Sequence, residues 1–287
     1  MRTEKEMFKL IIDFANENED IRAVYINGSR ANPNAIKDVL QDFDVVYVVK
    51  ETKKYITDKS WLSAFGDIAI YQEPDNQELF PNDNNSDEKY AFLVQFTDCN
   101  RIDFTIQSIE YTKKVYLDDK LIKVLLDKDD ILINIPDVTE IDYYTQKPTE
   151  NKFKACANEF WWVAPYIAKG LKRNQIVYTI ECFNTYVKPM LYKMIDWKIG
   201  IDNNFSVNSG KFGKFYKSFL SSEDWKSLVK TYPIAEDNDL WKVLFNTCDL
   251  FSELSKYVSK KLSFNYNIEE EKGSLEVINE IKKLDNI

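Results

Sequence analysis

The sequence predicts an α+β fold, with a mixed-sheet domain over residues 1–145 followed by a helical bundle over 146–287. Three observations carry this. Strand-like and helix-like stretches interleave through the first 135 or so residues, the pattern of a sheet with helices packed on it. The character changes between Pro136 and Pro148. Beyond that point strand signals fade and apolar residues recur at helical spacing.

The elements follow in order. Residues 4–18 read as a helix with Phe8, Ile11, Ile12 and Ala15 on one face. Strands are expected at 21–27, 43–50, 67–72, 90–97 and 101–107, with a further short apolar run at 121–126. Helices fit at 29–36, 59–65 and 107–116. Pro74, Pro81 and the polar stretch from Asn82 to Asp87 mark a long surface loop. In the second half, Thr149 caps a helix running to about 170, and Asn174 one running to about 198. Ser221 opens another, and 237–262 forms a long one. Pro165 and Pro189 are expected to kink or end their helices. The charged tail from Glu269 to Ile287 reads as peripheral, and Trp197, Trp225 and Trp241 as core anchors.

Composition narrows the chemistry. The chain contains no histidine, which excludes imidazole acid–base catalysis, Ser-His-Asp and Cys-His arrangements and histidine-ligated zinc. Any catalytic base must then be a carboxylate, lysine, tyrosine or cysteine. The four cysteines (99, 156, 182 and 248) lie far apart with no Cys-x-x-Cys pair, and buried free thiols are expected. No apolar run reaches membrane-spanning length, so no membrane partner and a cytoplasmic location are expected. A net charge of −9 and a pI of about 4.9 disfavour nucleic acid and favour a cationic small molecule.

The residue pattern that carries chemistry begins at Gly28-Ser29-Arg30, where an apolar strand closes into a turn or helix. Gly28 permits a tight turn whose N–H groups and Ser29 hydroxyl suit a phosphate. Twelve residues separate Ser29 from Asp42, and Asp42-Phe43-Asp44 heads the apolar run Val45–Val49. Positions i and i+2 on a strand share a face, so Asp42 and Asp44 project together. In the run 101–106, Arg101, Asp103 and Thr105 share one face, while Ile102, Phe104 and Ile106 share the other. Three carboxylates on adjacent strands suit Mg²⁺, a hard cation usually shared with substrate phosphates. Aspartate is disfavoured in strands, so three at strand positions need a reason.

This order of Gly-Ser, a short helix, Asp-x-Asp and a third carboxylate resembles the nucleotidyltransferase superfamily related to DNA polymerase beta. Further stretches resemble the aminoglycoside 6-adenylyltransferases, which modify streptomycin. They are Ile26–Arg30, Gln41–Asp44, Asn100–Asp103, Val124–Asp129, Asn158–Trp162 with Lys169–Leu171, and Val187–Met190 leading to Asp196-Trp197. The likeness runs from the first residues to about 260. The segments Lys154–Ala157 and Asn82–Glu88 depart from it, which leaves the acceptor open.

The resemblance implies a polymerase-beta-like nucleotidyltransferase domain joined to a helical substrate-binding domain. It implies Asp42 and Asp44 as Mg²⁺ ligands and Asp103 as a third ligand or the general base. Gly28, Ser29, Arg30, Lys128 and Lys169 are the nucleotide-binding candidates; Asn158, Glu159 and Trp162 are the acceptor-binding ones. Each has a plain competitor: a surface ion pair for Arg30, a turn for Lys128, a helix-end cap for Lys169, core packing for Trp162. The implied reaction is transfer of AMP from ATP to an aminoglycoside hydroxyl, with release of pyrophosphate and resistance as its consequence. A lincosamide or protein acceptor, or a nucleotide binder without turnover, are the alternatives. Monomer and homodimer both fit.

Overall fold

The computed structural model describes residues 1–79, 85–232 and 237–284. The chain divides into two compact units, Met1–Asp142 and Tyr143–Ile287, and its fold class is α+β.

The first unit opens with helix α1 (Glu4–Glu17). Thr3 and Glu6 cap each other there: the Thr3 hydroxyl accepts from the Glu6 N–H at 3.3 Å, and the Glu6 carboxylate accepts from the Thr3 N–H at 2.7 Å. Strand β1 (Ile21–Ile26), helix α2 (Gly28–Ala31), strand β2 (Phe43–Val49) and helix α3 (Thr52–Thr57) follow. A 3₁₀ turn (Ser60–Phe65) leads to β3 (Ile68–Gln72), β4 (Lys89–Phe96), β5 (Arg101–Ser108), helix α4 (Ile109–Val115) and β6 (Lys123–Asp127). Among the described residues these strands form one sheet in the order β3-β4-β5-β2-β1-β6. Only the β2–β5 pair is parallel, which makes the sheet mixed.

The interior position of β2 explains its unbroken apolar run: Val45, Val46, Tyr47, Val48 and Val49 are all buried. On β5 the alternation is clean, with Ile102, Phe104 and Ile106 fully buried on one face and Arg101, Asp103 and Thr105 partly exposed on the other. The apolar face meets an aromatic cluster in which Phe65 and Phe104 lie 4.8 Å apart and Trp61 stands edge-on to Phe104 at 5.0 Å.

Several expectations are corrected. The buried stripe of α1 is Met7, Ile11 and Ala15, one step round from the expected face. The helix expected at 29–36 stops at Ala31. Pro33 disfavours helical backbone at Asn32, and the Asn32 side chain instead accepts from the Asn34 N–H at 2.8 Å and donates to Glu140 at 2.8 Å. Of the long polar loop, residues 80–84 lie outside the described residues, and Asn85 begins the turn into β4.

The second unit is helical. Helix α5 (Glu150–Lys172) is capped by the Thr149 hydroxyl, which accepts from the Lys152 N–H at 3.2 Å. It continues through Pro165 rather than ending there. Helix α6 (Ile176–Cys182) starts after Gln175 and not at Asn174, which takes a left-handed turn with φ 54°. A π-helical turn (Phe183–Val187) joins it without a break to α7 (Lys188–Asp202), and Pro189, just past that turn, does not end the helical run. Then come α8 (Tyr216–Phe219), α9 (Ser222–Val229), α10 (Asp237–Leu262) and α11 (Ile268–Lys283). The core is aromatic and aliphatic, with Phe160 stacked flat on Phe251 at 3.6 Å. Trp197 is buried, and Trp225 and Trp241 pack partly buried against this core.

The charged tail is not peripheral: it forms α11, which packs on α5 and buries Ile278. The buried Glu271 accepts from Ser252 Oγ at 2.9 Å, Lys256 Nζ at 3.0 Å and Tyr266 Oη at 2.7 Å. Tyr266 Oη in turn accepts from Trp161 Nε1 at 2.8 Å. A buried carboxylate with three donors is satisfied, and it fastens α11 to α10 and, through Tyr266, to α5. Of the four cysteines, Cys156, Cys182 and Cys248 are buried free thiols, whereas Cys99 is exposed. Among the described residues no helix is long and apolar enough to cross a membrane.

Candidate active site

The first unit gathers the Gly-Ser turn and the aspartates at one end of the parallel strand pair. The β2–β5 register sets Asp44 directly opposite Asp103. Gly28 begins α2 immediately after β1, with φ +67°. A Cβ at this position would lie 2.2 Å from Asp44 Oδ2, so only glycine lets the turn approach the carboxylate. Ser29 follows, half-buried. Asp42 sits just outside β2.

The electrostatics reflect this crowding. Burial, then the negative charges of Asp103 and Asp42, push the Asp44 carboxyl up to about 6. Arg101 supplies the counter-charge. Its fork binds Asp103 through Nε at 2.7 Å and a terminal nitrogen at 2.8 Å, and its other terminal nitrogen lies 3.7 Å from Asp42. The residue was visible in the sequence on the face of Asp103; what was missing was the i, i+2 reach along one strand face that lets it close on that carboxylate.

Two nucleotide-binding candidates are already engaged within the protein. The Arg30 guanidinium is buried. It donates to the carbonyls of Asp42 at 3.0 Å and Gln41 at 2.6 Å, pairs with Glu4 at 3.2 Å and lies 3.7 Å over the Phe43 ring. It therefore holds the backbone that delivers Asp42. Lys128 donates to the carbonyls of Ala15 at 2.7 Å and Asn18 at 3.1 Å, closing the C-terminal end of α1. Neither cation is free for phosphate while these bonds stand.

The donor set tests the expected metal. Asp42, Asp44 and Asp103 offer only carboxylate oxygens, the chemistry Mg²⁺ takes, and the Asp44 carboxyl, raised by burial and then by its two acidic neighbours, is one a cation would lower again. With Arg101 closed on Asp103, no three potential ligands converge on one point among the described residues. The residues fit Mg²⁺ in kind, and Arg101 is the cation now paired with Asp103 and close to Asp42.

In the second unit, Asn158, Trp162 and Lys169 lie along one stripe of α5 and line a groove of about 410 Å³ between α5 and α11. Lys169 is exposed, 5.6 Å over the Tyr166 ring, and lies within α5 rather than capping it. Trp162 is 66% exposed, which removes it from the core. Glu159, exposed on the neighbouring face, does not line this groove.

A mixed sheet whose parallel pair sets two aspartates side by side, next to a Gly-Ser turn, defines a nucleotidyltransferase. The chain matches the streptomycin adenylyltransferase family over residues 1–281 and belongs to it. It is 38% identical over 283 residues to an aminoglycoside 6-adenylyltransferase from Campylobacter jejuni, covering 99% of this chain and 97% of that one. It is 36% identical over 267 residues to a protein of the same name from Bacillus subtilis (strain 168), covering 93% of each. A third such relative, from Staphylococcus aureus, is 35% identical over 272 residues and is covered over 94% of its length. A solved structure of an aminoglycoside 6-adenyltransferase from Bacillus subtilis aligns over 99% of this chain and all of that one, at 32% identity and a TM-score of 0.49.

Proposed function

We propose that this enzyme transfers AMP from ATP to a hydroxyl of an aminoglycoside, streptomycin first among them, and so gives resistance. The observation that carries the reading is Asp44 facing Asp103 across the parallel pair beside the Gly28-Ser29 turn, in a chain whose relatives are named aminoglycoside 6-adenylyltransferases. The acceptor hydroxyl attacks the α-phosphorus. The bond from that phosphorus to the β-phosphate bridging oxygen breaks, pyrophosphate leaves, and the hydroxyl proton is taken up by base.

Asp42, Asp44 and Asp103 are the residues to hold Mg²⁺, which when bound neutralises phosphate charge and lowers the pKa of the attacking hydroxyl. Asp103 either completes that set or takes up the hydroxyl proton as the base, a role open to a carboxylate in a chain without histidine. Ser29 and the Gly28 backbone cradle phosphate oxygens. Lys169, the exposed cation among the nucleotide candidates, neutralises the triphosphate. Asn158, Glu159 and Trp162 belong to the acceptor side. Most of the rate enhancement comes from holding the hydroxyl and the α-phosphorus in line.

Pyrophosphate release from ATP and Mg²⁺ with a panel of aminoglycosides is the test. Release that depends on streptomycin is expected. If no aminoglycoside supports release while a lincosamide or a protein does, the acceptor assignment is wrong.

A further inference from the structure

The groove between α5 and α11 has properties that its fold does not require. Trp162 leaves two thirds of its surface in solvent on the wall of a concave site. Opposite it, Ser274 is 8% exposed and its hydroxyl has no hydrogen-bond partner among the described residues, although buried polar groups are normally paired. Glu270, on the same wall, is half-buried and makes no ion pair among the described residues. Gly273 lies between these two on α11, and a Cβ there would meet nothing within 4 Å. An exposed indole, a carboxylate without an ion pair among the described residues and open space at Gly273 therefore line one volume, with Ser274 on its wall.

The groove is lined mostly by apolar and aromatic side chains, and its charged residues sit toward its two ends. Glu270 shares with Asn158 the lining of an adjoining cavity, and at the far end Lys172 Nζ donates to the Lys282 carbonyl at 3.3 Å. The two helices thus run in the same direction, with Glu270 beside Asn158. Lys169 lies eleven residues further along α5, about 16 Å at 1.5 Å per residue. One end is acidic and the other basic.

We propose that this groove is the acceptor subsite and that α11 sets acceptor specificity. Glu270 receives a guanidinium or ammonium group, the Trp162 indole takes the face of the acceptor ring, and Ser274 bonds an acceptor hydroxyl. The proposal rests on the aminoglycoside reading and adds to it a wall from the C-terminal helix.

The test uses the full chain, with streptomycin as probe, and two variants. Gly273→Leu adds bulk on the groove wall, at a position where a Cβ would meet nothing within 4 Å, and is a better helix former. Glu270→Gln keeps shape and removes charge. Streptomycin affinity is measured by titration calorimetry, and KM for each substrate by pyrophosphate release. Both variants should weaken streptomycin binding and raise its KM about tenfold or more, with KM for ATP held within about twofold. If the parent turns streptomycin over and both variants match it, the groove is not the subsite and the adenylyltransferase reading stands. If the parent binds streptomycin without turnover and the variants lose binding, the subsite stands and the reaction does not. No binding and no turnover with the parent overturns both.

Discussion

Gly28 and Asp44 are in contact: a Cβ on the glycine would stand 2.2 Å from the Asp44 carboxylate oxygen, and the glycine backbone has φ +67°. Two independent constraints, sterics and backbone conformation, thus demand glycine beside the aspartate. Gly28→Ala should cost about 1–3 kcal/mol of stability and most of the turnover, because either the turn or Asp44 must move. Urea melts and pyrophosphate release measure the two effects. Turnover within about twofold of the parent would show that the Gly28–Asp44 contact is not needed.

Asp42→Asn and Asp44→Asn should each remove more than nine-tenths of turnover, roughly 1.4 kcal/mol of barrier or more, with the circular dichroism spectrum unchanged. Asp103→Asn should do the same and also free the Arg101 fork. If Asp103 acts mainly as base, its variant keeps Mg²⁺–ATP affinity and loses the chemical step; if it is mainly a ligand, that affinity falls as well. Normal turnover in the Asp103 variant would remove it from the site.

Lys169→Ala should raise KM for ATP about tenfold and by more than KM for the acceptor. The motive is an exposed cation that lies over the Tyr166 ring and makes no ion pair among the described residues. Equal constants in parent and variant would return Lys169 to the solvated surface.

Lys188 gives a pH signature of folding. It is 5% exposed among Phe183, Tyr192 and Tyr232, and burial pulls its ammonium down to about 8 from 10.5. The folded state binds its proton less tightly than the unfolded state, so this residue makes stability rise with pH between about 8 and 10. Below that window its penalty is fully present, at most about 3 kcal/mol. The phenol of Tyr192, which lies by Lys188, and that of Tyr216, packed edge-on against Tyr192, are held up by burial and act in the opposite sense above pH 10. Lys188→Met should raise stability at pH 7 and flatten the rise between pH 8 and 10. Parallel urea curves for parent and variant at every pH would contradict it.

The strand alternation, the Gly-Ser turn, Asp-x-Asp and the third aspartate were legible because each is local: side-chain period, glycine and acidic spacing follow from the covalent chain. Arg101–Ile106 showed its two faces before any partner strand was known, and the fold class followed from the change of period near Pro136–Pro148. Tertiary structure alone decided what the cations do. Arg30 and Lys128 are bound to the backbone carbonyls of Gln41, Asp42, Ala15 and Asn18, partners whose position depends on how a loop and a helix end are brought back to them. Arg101 needed no such closure, yet its role rests on β2 lying parallel to β5 so that Asp42 comes within its reach. The tail hid its helix for a related reason. Charged residues dominate α11, and the face that packs on α5 is held by Glu271, a carboxylate made tolerable inside only by Ser252, Lys256 and Tyr266. Local pattern is written in the chain, whereas the pairing of a charge depends on groups distant in sequence that only the folded packing brings to it.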